Sequence, residues 1–403
     1  MLATQSNERF VLTINGGSSS IKFAIYQVTG TMSQVLNGQI ENIGTTNCVL
    51  NFINKISDQK EQISIKAVDY KTAIHFQIDW LEKQLDFSCI EAIGHRIVHG
   101  FQHTKPQKIT PKFLTELKAI SSYDPEHLPE EIMLIECFQK RYPLMVQIAC
   151  FDTAFHTTMP SVAQLLPIPR RYFNMGIKRY GFHGLSYAYL LEQLENMAGN
   201  KVANGKIIMA HLGNGASLAS VKNGKSVDTS MGFTPASGLL MGTRSGDLDP
   251  GVAWYLMQFE KLNPQQFNHL INHESGLLGI SETCADMRGL LKIQATDSRA
   301  AEAIELFCYQ TKKQIGAYVA VLGGLETLVF SGGIGEHTPE VRSQICDGLE
   351  FLGIELCEIK NMNNAPIIST EKSKVTVYVI PTNEELMIAK LVCSILNYSI
   401  KNK

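Results

Sequence analysis

Charge is scarce and nearly balanced in this chain of 403 residues: 36 Lys and Arg against 38 Asp and Glu, for a formal net charge of −2. That balance does not favour nucleic acid or an anionic membrane as a bulk partner, and neither is expected. Any cationic site must be local, built from a few arginines and lysines. The nine cysteines form no C-x-x-C pair and are odd in number, so reduced thiols in a reducing compartment are expected. No uncharged apolar run approaches membrane-spanning length. The opening "MLATQSNERF" has no basic stretch followed by an apolar one, so a signal peptide is not expected. The expected location is the cytoplasm. No G-x-x-x-x-G-K-[ST] run occurs, which excludes a P-loop. "SGGIGE" does not meet the strand, helix and acid context of a dinucleotide fingerprint. Neither a low-complexity segment nor a Pro/Ser-rich linker interrupts the chain. It is too long for one ordinary core, so two closely packed domains are expected.

What is present begins with "VLTINGGSSSIKFAIY", residues 11–26, where two apolar runs flank a bare turn of glycine and serine. Val11–Ile14 and Ile21–Val28 read as strands. "IIMAHLGNGASLASV", from residue 207, repeats the design: apolar strand, turn of Asn, Gly and Ser, second strand. The similarity predicts two halves of one architecture, each opening with a hairpin. A third glycine turn, "LVFSGGIGE", follows a third strand. Backbone N–H groups in such turns form an anion cradle, glycine lets a ligand approach, and serine hydroxyls add donors. Any one turn alone reads as an ordinary hairpin; three together, one followed by Lys22, point to a polyphosphate. Apolar residues at helical spacing predict a helix over about 129–141. "LMVQIACFDTAF" reads as a buried strand with Asp152 near its end. "PTNEELMIAKLVCSILN" predicts a closing helix, with Thr382 and Glu385 at capping-box spacing.

The middle of the chain carries more polar chemistry than a core needs. "KRYGFHGLSY" sets His183 between Phe182 and Gly184, and "DTSMGFTPASGLLMGTRSGDLDPG" holds Arg244, Asp247 and Asp249 in a glycine-dense stretch that cannot be mostly helix. Its polar groups belong on loops, where sites usually sit; a solvated surface excursion does not explain the interleaved Met231, Phe233, Leu239, Leu240 and Met241. In "GHRIVHGFQH", His95, His99 and His103 are four apart, a zinc spacing if helical. Gly94, Gly100 and the β-branched Ile97 and Val98 favour a strand with hydrogen-bonded histidines instead. Arg96, inside that apolar strand, needs an anionic partner.

These residues together resemble the acetate kinase (acetokinase) family. The matching stretches are "INGGSSSIKF", "GHRIVHG", "FDTAFHTTMP", "RYGFHGLS", "HLGNGAS", "DTSMGFTP", "MGTRSGDLDPG", "SGLLGIS", "ADMRG", "GGIGE" and "PTNEELMIA", in the family's order over about residues 14–389. The resemblance implies the α/β fold of acetate and sugar kinases, heat-shock ATPases and actin: two ribonuclease H-like domains around a central cleft. The N-terminal domain would take 1–150 plus 385–403, and the nucleotide-binding domain 151–384. It also implies a homodimer, a magnesium requirement with manganese as the alternative ion, and ATP or ADP as co-substrate to a small carboxylate.

Carried over by position, the resemblance gives Asn15, Ser18, Ser20 and Lys22 to the phosphate side, with Asn15 and Glu384 at the metal. Arg96 and Arg244 would hold the carboxylate and the transferring group, Asp152 would position substrate and metal, and His183 would stabilise the phosphoryl group in flight. His211, Leu212, Gly213, Asn214 and Gly215 would meet nucleotide phosphates, and Asp286, Met287, Arg288, Gly333, Ile334 and Gly335 would surround adenosine. Val98, Phe182 and Pro235 would line the pocket for the acid's alkyl end, with Ser122 and Tyr123 beside it. Four positions depart from the family pattern. Ser122, Tyr123 and Asp124 stand where Leu, His and Asn are usual, and Tyr187 stands for a histidine. Ser122 predicts a wider or wetter pocket, open to propionate or a hydroxylated acid; local repacking would keep acetate. Two other readings are a non-catalytic nucleotide-binding module, which would not need the carboxylate-side Arg96, and a sugar kinase, which would need more than Asp152 around a hydroxyl.

Overall fold

The segment Phe10–Gly16 (β1) is buried along its whole length, as a central strand covered on both faces must be. In the computed structural model, which describes residues 9–17 and 19–398, it pairs antiparallel with Ile21–Val28 (β2) and parallel with Ile90–Ile97 (β6). Met32–Glu41 (β3), Val49–Asn54 (β4) and Gln59–Ser64 (β5) extend the β2 side; Gln107–Lys108 (β7) and Val146–Phe151 (β8) complete the other. The order is β5-β4-β3-β2-β1-β6-β8-β7. The edge strand β5 is polar and largely exposed, which discourages further pairing.

A second sheet contains Lys206–Leu212 (β9), Ala216–Lys222 (β10), Lys225–Thr229 (β11), Thr327–Ser331 (β12) and Thr376–Val379 (β13), ordered β11-β10-β9-β12-β13. This repeats the β3-β2-β1-β6-β8 core of the first sheet. In each sheet a hairpin comes first, and two later strands lie parallel to its first strand. The internal repeat seen in the sequence is thus a repeat of topology. The chain divides into two units, Met1–Ala154 with Asn383–Lys403, and Phe155–Thr382.

In the first unit the closing helix Glu384–Ile395 packs on β1 and β6. Gly94 of β6 permits this approach: a Cβ there would stand 2.5 Å from Ile388 and 2.6 Å from Val392. The helix is capped by Asn383, whose side chain accepts from the Leu386 N–H at 2.9 Å. The Thr382–Glu385 capping box is not made. Thr382 engages the Ser186 hydroxyl, and Glu385 accepts from Asn15. The helix expected at 129–141 is Leu128–Arg141.

The third glycine turn is not a hairpin. After β12 the chain passes directly into a short helix, Gly332–His337, with Gly332 at φ 76. A Cβ at Gly332 would lie 2.6 Å from the Leu212 carbonyl oxygen, so the strand-to-helix turn requires glycine. Residues 230–249 carry no regular element, and buried Met231, Leu239, Leu240 and Met241 anchor the loop.

Candidate active site

In the first unit β1, β6 and β8 are parallel, so their carboxyl ends share one edge. That edge gathers Asn15, Arg96 and Asp152. Arg96 donates through Nε and Nη2 to one oxygen of Asp152, Oδ2, at 3.0 and 2.6 Å. Its Nη1 donates to Asn15 Oδ1 at 3.2 Å. Asn15 Nδ2 in turn donates to Glu384 at 2.9 Å and to Glu385 at 3.2 Å. Asp152 is fully buried, and its second oxygen, Oδ1, has no hydrogen-bond partner.

Burial works against the charge of Arg96, but Asp152 and Glu384 outweigh it and hold the guanidinium charged. Burial raises the Asp152 carboxyl above its usual value, with Arg96 opposing. Two charge-assisted N–H donors on a single oxygen keep the pair ionised. Behind it, Glu131 is buried and both its oxygens accept from the Val98 N–H at 3.1 Å. Burial pushes its carboxyl well above the ordinary range, with Arg96 opposing. Val98 itself is buried.

Lys22 stands opposite Asn15 in the hairpin register and is exposed. The turn before it is closed by the Gly17 N–H donating to the Ser20 carbonyl at 2.8 Å; Ser18 lies outside the described residues. Ser122 and Tyr123 sit on the single 3₁₀ turn Ser121–Tyr123. Tyr123 packs on Phe101 at 5.0 Å, and the side chain of the buried Asp124 meets His127 Nδ1 at 2.9 Å. The three spaced histidines do not converge. His95 is bonded to Gln147, His99 accepts from the Phe101 N–H, and His103 pairs with Glu116. Among the described residues no three His, Cys, Asp or Glu side chains form a metal cage.

In the second unit the turn 213–215 joins β9 to β10, and Ser331 pairs with His211 at the carboxyl ends of the parallel strands β12 and β9. The two glycine turns therefore lie side by side. His183 precedes the helix Gly184–Ala198 in the left-handed region, φ 58, a conformation that costs a non-glycine residue of order 1–3 kcal/mol and clusters at functional sites. Its ring stacks on His211 with centroids 4.3 Å apart. A Cβ on Gly215 would stand 3.2 Å from both His183 Nε2 and Arg244 Nη2, so these two nitrogens converge over a bare backbone. At Gly213 the corresponding position lies 3.8 Å from the Gly333 nitrogen and 4.0 Å from His211 Nε2.

Arg244 is steadied by Nη1 donating to the Pro235 carbonyl at 2.7 Å. The carbonyl of Phe182 accepts from the buried His156 at 2.9 Å, which fixes the residue before His183. Gly242 links the Asn214 turn to the next segment: its N–H donates to the Asn214 carbonyl, and a Cβ on it would stand 3.2 Å from the Ala285 carbonyl oxygen. There Asp286 caps the helix Met287–Ile293 and pairs with the exposed Arg288, while Met287 is buried. Ile334 and Gly335 belong to the short helix after Gly332.

Sequence reasoning missed the groups that hold these donors. Ser217 contacts His183 Nδ1, Ser186 contacts His211 Nδ1, both at 2.8 Å, and Glu385 shares Asn15 with Glu384. "HLGNGAS" and "RYGFHGLS" each end on one of those serines, but nothing in the spacing says which ring a hydroxyl will meet.

A model of the Acetokinase family matches residues 10–390. An acetate kinase of Rhodopseudomonas palustris (strain TIE-1) is 40% identical over 386 residues, 94% of this chain and 96% of that protein. A propionate kinase of Citrobacter rodentium (strain ICC168) is 41% identical over 387 residues, covering 94% and 95%. The crystal structure of a propionate kinase from Francisella tularensis subsp. tularensis SCHU S4 superposes with a TM-score of 0.88 at 38% identity, covering 95% of this chain and 98% of that one.

Proposed function

The chain belongs to the Acetokinase family, and we propose that it transfers the γ-phosphoryl group of ATP to acetate, giving acetyl phosphate and ADP reversibly. A carboxylate is already ionised at neutral pH and needs no general base. The difficulty is bringing one anion onto another, which calls for in-line positioning and charge neutralisation. The observation that carries the reading is the Asn15–Arg96–Asp152 network with Glu384. It supplies a fixed cation for a carboxylate and acidic oxygens beside it. A nucleotide-binding module has no use for that cation.

In this reading the first unit serves the carboxylate side, with Val98 as apolar wall. The second is the nucleotide side, where His183 and Arg244 act on the transferred group and the turns at 213–215 and 333–335 hold phosphates and nucleoside. Magnesium fits the residues present. The buried Asp152 Oδ1 lacks a hydrogen-bond partner, and Mg²⁺ takes one or two carboxylates while keeping waters and phosphate oxygens. Asp152 and Glu384 would hold it, with Asn15 orienting Glu384. When bound, the ion supplies neutralising charge on phosphoryl oxygens.

A homodimer is supported by the helix Pro250–Phe259. None of its side chains is fully buried, and it exposes Val252, Trp254, Tyr255 and Phe259, next to exposed Leu248. Such a patch marks an interaction site, and here the occupant is a second copy. Trp254→Asp should then halve the particle mass seen by light scattering; a wild-type monomer would remove the dimer. All nine cysteines are free, and among the described residues no helix is long and apolar enough to cross a membrane. Both features fit a cytoplasmic enzyme, and thiol trapping in intact cells should find the cysteines reduced.

The deciding assay is acyl phosphate formation, trapped with hydroxylamine, from MgATP and formate, acetate, propionate, butyrate or glycolate, with and without a chelator. Acetate should lead and the chelator should abolish product. A different best acid moves the assignment to that acid. ATP binding without product from any acid overturns it.

A further inference from the structure

Tyr187 occupies the first turn of the helix Gly184–Ala198 and is completely buried. Its Oη lies 2.5 Å from Ser217 Oγ, and Ser217 Oγ lies 2.8 Å from His183 Nδ1. Ser217 is also completely buried.

The protons in this chain can be accounted for. The phenol proton has one acceptor among the described residues, Ser217 Oγ. If Ser217 donated to the phenol instead, the tyrosine proton would be buried without a partner, at a cost of the kind native structures avoid. Tyr187 therefore donates. The serine proton is then left with one acceptor, His183 Nδ1. A ring nitrogen that accepts cannot carry hydrogen, so the proton of the neutral imidazole sits on Nε2. That is the atom beside Arg244 Nη2 over the bare Gly215 backbone.

We propose that Tyr187 is a positioning residue for His183: through Ser217 it fixes the imidazole as the Nε2–H tautomer, presenting a neutral hydrogen-bond donor to the phosphoryl group. The last clause rests on the kinase reading above; the tautomer does not. The companion ring differs. His211 Nδ1 meets Ser186, whose hydroxyl meets Thr382, and Thr382 is only half-buried. That chain is not closed, so it fixes no tautomer by the same accounting.

The test is ¹⁵N NMR of histidine-labelled protein, with the His183 signals assigned by their loss in His183→Gln. Wild type should show a bare Nδ1 and a protonated Nε2. Tyr187→Phe should show both tautomers, and its kcat should fall about tenfold with KM for ATP and for the acid nearly unchanged. Ser217→Ala should do the same, and adding Tyr187→Phe to it should cost nothing further, because the tyrosine acts only through the serine. A protonated Nδ1 in wild type overturns the proposal, as does an unchanged His183 spectrum in Tyr187→Phe or additive losses in the double variant. Should Tyr187→Phe fail to fold, the wild-type spectrum and Ser217→Ala still decide. Failure of the kinase reading would appear separately, as no acyl phosphate from wild type.

Discussion

Arg96 sets two nitrogens on one oxygen of Asp152, at 3.0 and 2.6 Å, and the other oxygen of that buried carboxylate is left without a hydrogen bond. The arginine is thereby locked in place, with Nη1 held by Asn15. Arg96→Ala should lower kcat by about 10³-fold or more, the scale of an arginine that neutralises charge in phosphoryl transfer. ATP affinity, measured by calorimetry, should stay within a few-fold. Arg96→Lys should recover little, since an ammonium cannot reproduce the fork. A variant that keeps most of its turnover would remove Arg96 from the chemistry.

Gly215 and Gly332 separate function from folding. Gly215 is not among the residues with positive φ, so alanine is tolerated by the backbone there. Its Cβ would press on His183 Nε2 and Arg244 Nη2. Gly215→Ala should lose about 10–100-fold in kcat/KM for ATP, the scale of a roughly 1 Å misplacement of catalytic donors, with Tm nearly unchanged. Gly332→Ala faces a positive φ and a carbonyl at 2.6 Å, so its loss should appear first in Tm. The opposite pattern would contradict the cradle at Gly215.

Acid should weaken both units through buried neutral histidines. Burial lowers His95 in the first unit and His156 in the second from 6.5 to about 4. Between those values the unfolded chain binds more protons than the folded one. Stability is therefore complete above about 6.5 and is lost as pH falls toward 4. Each histidine should contribute a loss of about 1 kcal/mol by pH 5.5. Urea midpoints at pH 7.5 and 5.5 measure it. The pair His95→Gln and His156→Gln should be weaker at pH 7.5 yet lose less on acidification; an equal loss would assign the acid sensitivity to other groups.

Ser122 tests acid choice. It is exposed on the turn that carries Tyr123, and leucine there would add apolar bulk. The Ser122→Leu variant should favour shorter acids, shifting the propionate-to-acetate ratio of kcat/KM by about tenfold, the scale of one methylene in an apolar pocket. Identical profiles for the two proteins would show that the position does not shape the pocket.

Much of the fold was legible because strand and turn signals are local. The apolar runs around "NGGSSS" and "GNGAS" mark both hairpins, and their likeness predicts the shared strand order found in the two sheets. The third glycine turn was legible as a turn after a strand, but "SGGIGE" does not tell a hairpin from what it makes, a strand-to-helix turn whose positive-φ glycine lies against the neighbouring strand. The cap of the last helix was misread for a similar reason. Thr382 and Glu385 have the right spacing, but both side chains are engaged elsewhere.

By itself the sequence determined the family, through eleven short motifs in order, and with it the residue types that phosphoryl transfer to a carboxylate requires. Only tertiary structure decided how those residues act. Asn15 meets Arg96 across 81 residues of chain and Glu384 across 369, because parallel pairing aligns strand ends that periodicity cannot associate. The hydroxyl chain from Tyr187 to His183 exists only because β10 brings Ser217 against the helix Gly184–Ala198. Side-chain pattern reports which face of a strand is buried; which distant hydroxyl a ring nitrogen meets depends on register and packing, and those are set by the whole fold.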